Sequence, residues 1–348
     1  EFRRVLFRSI PIVLGGIEAS LRRLTHYDYW QDKLKPGILI ESRADLLIYG
    51  MGEQPLRSLV NKLKRGVPFS DIKDIPQTAY LTPSEDVSAH ILPGDINLFS
   101  HEECLLDKLK QAKNFKHIEE ESNKMEASRI IQRVDNESIV VNPPFPPMTE
   151  AELDASFDLP YTRLPHPKYK GKTISAFDMI QFSVNLHRGC FGGCAFCTIS
   201  AHQGKFIASR SKDSILKEIK IITGMPDFKG YLSDLGGPSA NMYRMKGKDI
   251  SICRKCKRPS CISPKVCKNL NADHTPMLEL YKEVDSIPGI KKSFIGSGVR
   301  YDLLLNRYDD NALNDSANKY MRELIAHHVS GRLKVAPEHT SDEVLKQM

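Results

Sequence analysis

"HRGCFGGCAFCTIS", His187–Ser200, decides how this chain is read. Cys190, Cys194 and Cys197 stand in C-x3-C-x2-C spacing. Three thiolates this close on one loop can hold three corners of a 4Fe–4S cube. With no fourth thiolate beside them, one iron stays open to an outside ligand. Gly189, Gly192 and Gly193 let the backbone wrap closely without Cβ clashes, and their amides can donate to sulfur. A zinc knuckle would want a fourth ligand. His187 and His202 are the nearest, and neither has finger spacing. The bacterial ferredoxin order, C-x2-C-x2-C-x3-C, is also different.

The motif opens a series of strand–loop–helix units. The pattern predicts strands at Gln181–Leu186, Tyr231–Leu235, Ser293–Gly296 and Leu333–Ala336. Helices are expected at Ser211–Thr223, Thr275–Ile287 and Leu313–His328, with another from Ser341. Ser211 is a natural N-cap, and Ile215, Ile219 and Ile222 share one helix face. Four β/α repeats in a row argue for a parallel barrel or open barrel. Strand ends face the site in such barrels, which brings forward Gly236 and Gly237, then Ser297 and Arg300, then Glu338. An ion pair at the barrel rim is the plainer reading of Arg300 and Glu338.

Ahead of this series the fold class is again α/β. Expected strands at Ile10–Leu14 and Ala44–Tyr49 each end in glycines and lead into a helix. Residues 101–172 read as a helical connector, with Leu105, Leu106, Leu109, Ala112 and Phe115 at helical spacing. "NPPFPPMTE", Asn142–Glu150, reads as a stiff linker at the main boundary. The expected division is 10–100, 101–172 and 173–348. The first nine residues, EFRRVLFRS, read as a sequencing adapter translated in frame and are set aside. Without their three Arg and one Glu, the net charge falls from +7 to +5.

Of 348 residues, 41% are hydrophobic and 27% charged, as in ordinary globular chains. No apolar run approaches the ~20 residues of a membrane helix. Seven of the 8 cysteines fall in two tight groups, which favours metal ligation over disulfides and implies a reducing, cytoplasmic setting. Cys104 stands apart and reads as structural. The second group, "CRKCKRPSCISPKVC", carries Cys253, Cys256, Cys261 and Cys267 in an insertion over 244–273. Four thiolates can close a structural zinc site or hold an auxiliary 4Fe–4S cluster. Arg244–Lys268 bears nine Lys/Arg against Asp249 alone. These cations either balance thiolates on a solvated face or meet an acidic partner. Only Tyr243 is interleaved, which weakens a single-stranded RNA reading.

The Cys190–Cys197 loop resembles the signature of the radical S-adenosylmethionine (SAM) superfamily. The resemblance implies that SAM chelates the open iron through its amino and carboxylate groups. Phe196 would pack near the adenine. One-electron reduction would then release a 5′-deoxyadenosyl radical that abstracts hydrogen from a substrate. "DLGG", Asp234–Gly237, resembles the superfamily's glycine motif for the methionyl amino group, with Pro238 where a glutamate often follows. "GGIEASLRRLTHYDYW", "SRADLLIYGMGE", "DLGGPSANMY", "CRKCKRPSCISPKVC", "SGVRYDLLL" and "LKVAPEHTSDEVL" extend the likeness to the YgiQ family, whose members are much longer. The N-terminal part resembles the second half of a Rossmann-like, cobalamin-binding-like domain, whose cobalt-ligating histidine lies in the first half. The implied partners are a one-electron donor such as flavodoxin or ferredoxin and an unidentified substrate. An RNA-modifying enzyme related to methylthiotransferases is the alternative, and a non-catalytic iron–sulfur or zinc module is a further one. No catalytic side chain is assigned.

Overall fold

The computed structural model describes residues 10–89, 91–333, 336 and 338–347. The segment read as an adapter, Glu1–Ser9, lies outside them. The chain forms two compact units. The first comprises Glu1–Pro146 with Cys197–Lys205 and Ile250–Pro259. The second comprises Pro147–Phe196, Phe206–Asp249 and Ser260–Met348.

A six-stranded sheet organises the first unit, in the order Val13–Leu14, Leu46–Ile48, Thr78–Pro83, Glu137–Val141, Ile130–Val134, Ile96–Asn97. The two strands legible in the sequence pair in parallel, Val13 opposite Leu46. The sheet then departs from a Rossmann-like plan, because its three central pairings are antiparallel. The cause is local. Ile130–Val134 and Glu137–Val141 are joined through Asp135 and Asn136 alone, and Asp135 takes a left-handed φ of 52°. A two-residue link of that kind folds its strands back antiparallel. These residues had been expected in a helical connector. Their β-branched run (Ile130, Ile131, Val134, Ile139, Val140, Val141) is buried in the sheet instead.

Helices do form at His101–Leu106 and Lys108–Ser122. Ser100 and Glu103 cap the first in a reciprocal box. The expected apolar face is nevertheless exposed at Leu105, Leu106, Leu109 and Phe115. The buried face carries Asn114, whose amide donates to Phe99 O at 2.9 Å and to Cys104 Sγ at 3.1 Å. Hydrogen bonding satisfies Asn114 there, so polarity does not keep it outside. Cys104 itself is fully buried, as a structural cysteine should be, and burial pushes its thiol pKa up.

The second unit carries the parallel pattern. Ser183–Asn185 pairs in parallel with Asp234–Gly236, and Tyr231–Leu232 with Lys292–Ser293. Helices Lys212–Thr223, Thr275–Asp285 and Asn311–Glu323 alternate with these strands. Val184, Ile215, Ile219, Leu235, Leu280 and Tyr320 share their core. The expected strand at Leu333–Ala336 includes Lys334 and Val335, which lie outside the described residues. A short antiparallel pair, Lys246–Gly247 with Leu270–Asn271, closes the base of the cysteine-rich insertion.

Two charged groups brace the first parallel strand. Arg210 is fully buried, with its guanidinium 4.2 Å from the Phe157 ring centre. It pairs with Glu218 and donates to Asn185 O at 3.0 Å. Arg163 takes the other oxygen of Glu218 and donates to Gln181 O and Ser183 O, each at 2.9 Å. Glu218 is the carboxylate that both guanidinium groups share, so removing it would leave the buried Arg210 cation uncompensated.

Behind the strands lies a buried polar and aromatic file. His274 Nε2 accepts from Asn241 Nδ2 at 3.2 Å, and its ring lies 4.9 Å from Tyr320. Tyr320 and Tyr281 meet through their hydroxyls at 3.3 Å. Burial lowers the His274 pKa to about 4. In the unfolded chain it would titrate near 6.5, so the unfolded state binds more protons between these values. Its contribution is therefore complete above about pH 6.5 and is lost as pH falls toward 4, up to ~3 kcal/mol. Denaturant titrations across this window should show wild-type stability falling with acidification, and a shallower fall in His274→Gln. Parallel profiles would contradict this.

Candidate functional site

The loop after Ser183–Asn185 begins with His187, which is fully buried. Its Nε2 donates to Ser239 O at 2.9 Å, and burial lowers its pKa. This imidazole occupies the space where Gly237 lacks a side chain. A Cβ on Gly237 would sit 2.6 Å from His187 Nε2. The neighbouring glycine is crowded from the other side: a Cβ on Gly236 would sit 2.8 Å from Ser297 Oγ. With Tyr231–Leu232 and Asp234–Gly236 counted together as the second strand, the diglycine turn packs between the ends of the first, Ser183–Asn185, and the third, Lys292–Ser293. Gly236 O already accepts from Leu186 N at 2.7 Å.

Asp234 ties the third strand's end to the second. Its carboxylate accepts from Gly296 N at 2.8 Å, from Ser297 N at 3.0 Å and from the Ser297 hydroxyl. Ser297 is thereby committed within the protein. Three residues on, Arg300 is fixed through its backbone by Asn241, whose side chain accepts from Arg300 N at 2.8 Å and donates to Arg300 O at 3.1 Å. The guanidinium forks onto Asp302, Nε to Oδ1 at 3.2 Å and Nη2 to Oδ2 at 2.5 Å. Nη1 points to Cys194 Sγ at 3.2 Å. Burial opposes the Arg300 charge, but Asp302 and Cys194 outweigh it and its pKa is raised.

Gly192 is where these groups converge. A Cβ there would lie 3.3 Å from Cys190 Sγ, 3.4 Å from Arg300 Nη1 and 3.7 Å from Cys194 Sγ. Gly189 and Gly193 supply the bends, with φ of 86° and 61°. Two sulfurs and a cation therefore face one another across the space beside Gly192, which a Cβ would fill tightly. That suits thiolate ligands of an anionic cluster. Among the described residues, no three His, Cys, Asp or Glu side chains are gathered around one point. Phe196 is exposed, and Glu338 is exposed on a left-handed backbone with φ of 62°.

Cys197 and the helix Ile199–Gln203 belong to the first unit. There, Ser20 spends its hydroxyl proton on Gly16 O, so His202 Nδ1, at 2.9 Å, must donate to Ser20 Oγ. Lys205 is buried, and its ammonium donates to Arg258 O at 2.7 Å and to Cys256 Sγ at 3.7 Å. The second cysteine group is divided in the same way: Cys253 and Cys256 in the first unit, Cys261 and Cys267 in the second. Within the second unit, Phe191 O accepts from Cys261 N at 3.0 Å and from Ser260 Oγ at 3.4 Å. Cys190, Cys261 and Cys267 pack against one apolar cluster built on Phe191, Met242 and Ile262. The insertion is thus anchored to the motif loop in each unit separately.

Sequence reasoning named the cysteines, the glycines, Ser297 and Arg300, but missed Asp234, Asn241, Asp302, His187 and Lys205 as their supports. The R-x-D spacing of Arg300 and Asp302 was the one local signal available. Gly237→Ala should force the His187 ring aside and cost about 1–3 kcal/mol of stability. Denaturant unfolding with unchanged midpoint would refute that packing.

Comparison with known proteins identifies the family. The family model described as Radical SAM N-terminal matches residues 1–183. A UPF0313 protein of Bacteroides thetaiotaomicron is 67% identical over 360 residues, covering 99% of this chain and 57% of the relative. One from Porphyromonas gingivalis is 66% identical over 99% of this chain and 54% of the relative. One from Methanocella arvoryzae is 45% identical over 99% of this chain and 55% of the relative. The chain spans about half the length of these curated relatives. Their identity, taken with the cysteine loop, establishes that the chain belongs to the UPF0313, or YgiQ, family of radical SAM proteins.

Proposed function

We propose that Cys190, Cys194 and Cys197 hold a 4Fe–4S cluster and that the complete protein is a radical SAM enzyme. The observation that carries this reading is the convergence of Cys190, Cys194 and Arg300 at Gly192, on a loop that continues to Cys197. When bound, the cluster supplies the electron that cleaves SAM to methionine and a 5′-deoxyadenosyl radical, which abstracts hydrogen from the substrate. The protein's own part is to orient and to exclude water. Gly189 and Gly193 bend the loop, while His187 and Asp234 hold the strand ends beneath it. Phe196, exposed one position before Cys197, is placed in sequence to stack on an adenine. Gly236 and Gly237 are assigned to the methionyl end, with Glu338 as a further cofactor contact; Ser297, expected beside them, spends its hydroxyl on Asp234 instead. Cobalamin enters no step of this reading.

Cys253, Cys256, Cys261 and Cys267 are assigned to a second metal, iron–sulfur or zinc, on the strength of their spacing. The nine Lys/Arg of Arg244–Lys268 are all exposed. Some are answered within the chain, as in Lys257–Glu120 at 3.4 Å and Arg244–Glu150 at 2.6 Å. The excess of positive charge along this exposed segment supports an acidic one-electron donor, flavodoxin or ferredoxin, in a reducing cytoplasm. Among the described residues no helix is long and apolar enough to cross a membrane.

Anaerobically reconstituted full-length protein should bind iron and convert SAM to 5′-deoxyadenosine under reduction. Replacing Cys190, Cys194 and Cys197 by Ala together should abolish that product. Iron retained by the triple variant would assign the second group to iron–sulfur; zinc retained would assign it to zinc. Product formed at the wild-type rate by the triple variant would end the proposal. Co-purifying RNA with steeply salt-dependent binding would favour the RNA-modifying reading.

A further inference from the structure

We infer that Arg300 is a positioning residue for the cluster, holding and tuning the Cys194 thiolate rather than binding SAM. The inference rests on the cluster reading above and adds a role to one of its residues. The guanidinium is oriented by three independent restraints. Asn241, buried to 1% exposure, grips the Arg300 backbone from both sides. Asp302 takes Nε and Nη2 in a fork. Gly192 leaves the space through which Nη1 reaches Cys194 Sγ at 3.2 Å. His274 in turn fixes Asn241, its Nε2 accepting from the same amide at 3.2 Å. A planar guanidinium restrained in this way loses little further freedom when it donates to sulfur.

The consequence is electrostatic. A cluster with thiolate ligands is anionic, and reduction adds one more electron to it. A fixed cation donating to a ligand sulfur favours the reduced form and raises the potential. Asp302 partly offsets the Arg300 charge, so the pair acts as an oriented dipole with its positive end at the sulfur. Arg300→Gln deletes the charge and, two bonds shorter, withdraws the donor from Cys194, while Arg300→Lys keeps the charge and loses the fork.

The test uses anaerobically reconstituted full-length protein, with iron content measured and the cluster titrated with dithionite under EPR. At a fixed poise, R300Q should lower the ratio of reduced to oxidised cluster about tenfold, ~59 mV for a one-electron couple. R300K should recover part of that shift, and SAM affinity should be unchanged in both. Failure of R300Q to retain iron while R300K retains it would also support the assignment, because lysine restores the charge. An unchanged potential at wild-type iron content would overturn it. So would a loss of SAM affinity at unchanged potential, which would give Arg300 to the cofactor, or iron loss in both variants. Absence of iron from the wild-type protein is a separate result, and it would remove the cluster reading itself.

Discussion

The carboxylate of Asp234 fixes the geometry on which the second unit depends. It stands at the start of Asp234–Gly236 and takes two backbone amides and a hydroxyl from Gly296 and Ser297. Charge-assisted bonds of this kind are short and directional, and each contributes more than a neutral one. They lock the end of the third strand to the second. On the opposite flank His187 fills the space beside Gly237 and locks the first strand to the second. With three strand ends registered, the loops leaving them have little choice. Arg300, just past the third, meets Cys194, just past the first.

Glycine is the complement of that rigidity. Gly192 leaves room for two sulfurs and a guanidinium, and Gly237 leaves room for an imidazole. At Gly237 the missing side chain is a steric requirement of His187, whereas at Gly192 a Cβ would be tight against Cys190 Sγ. The first unit contributes differently. Its mixed sheet supports the stretch beginning at Cys197, through His202 on Ser20, while Lys205 reaches the Cys256 loop. The cysteine-rich insertion, an unexplained patch in the sequence, is tied to the motif loop by Phe191 in one unit and Lys205 in the other.

Much of the second unit was legible because its signals are local. Helical periodicity marks Lys212–Thr223 through Ile215, Ile219 and Ile222, and glycines mark the strand ends. The first unit was legible only where a helix intervened between strands. Its hairpin at Asp135 was hidden because the turn, in the polar run Asp135–Ser138, carries no glycine, and the strands on either side of it are only five residues long. The exposed stripe of Lys108–Ser122 misled for a related reason. Periodicity locates an apolar face, but Asn114 reverses the burial by finding partners that lie distant in sequence. The same limit hid Asp234, Asn241 and Asp302. A carboxylate or amide shows its role only when the groups it joins, up to 63 residues away, are brought beside it.

The account stands on a cluster held by Cys190, Cys194 and Cys197 with one iron left open. EPR of the dithionite-reduced, reconstituted full-length protein, recorded with and without SAM, tests this most directly. The account predicts a 4Fe–4S signal with a component whose shape changes when SAM is added, and that component disappears when Cys194 is replaced. A signal indifferent to SAM and unaffected by loss of Cys194 would contradict it.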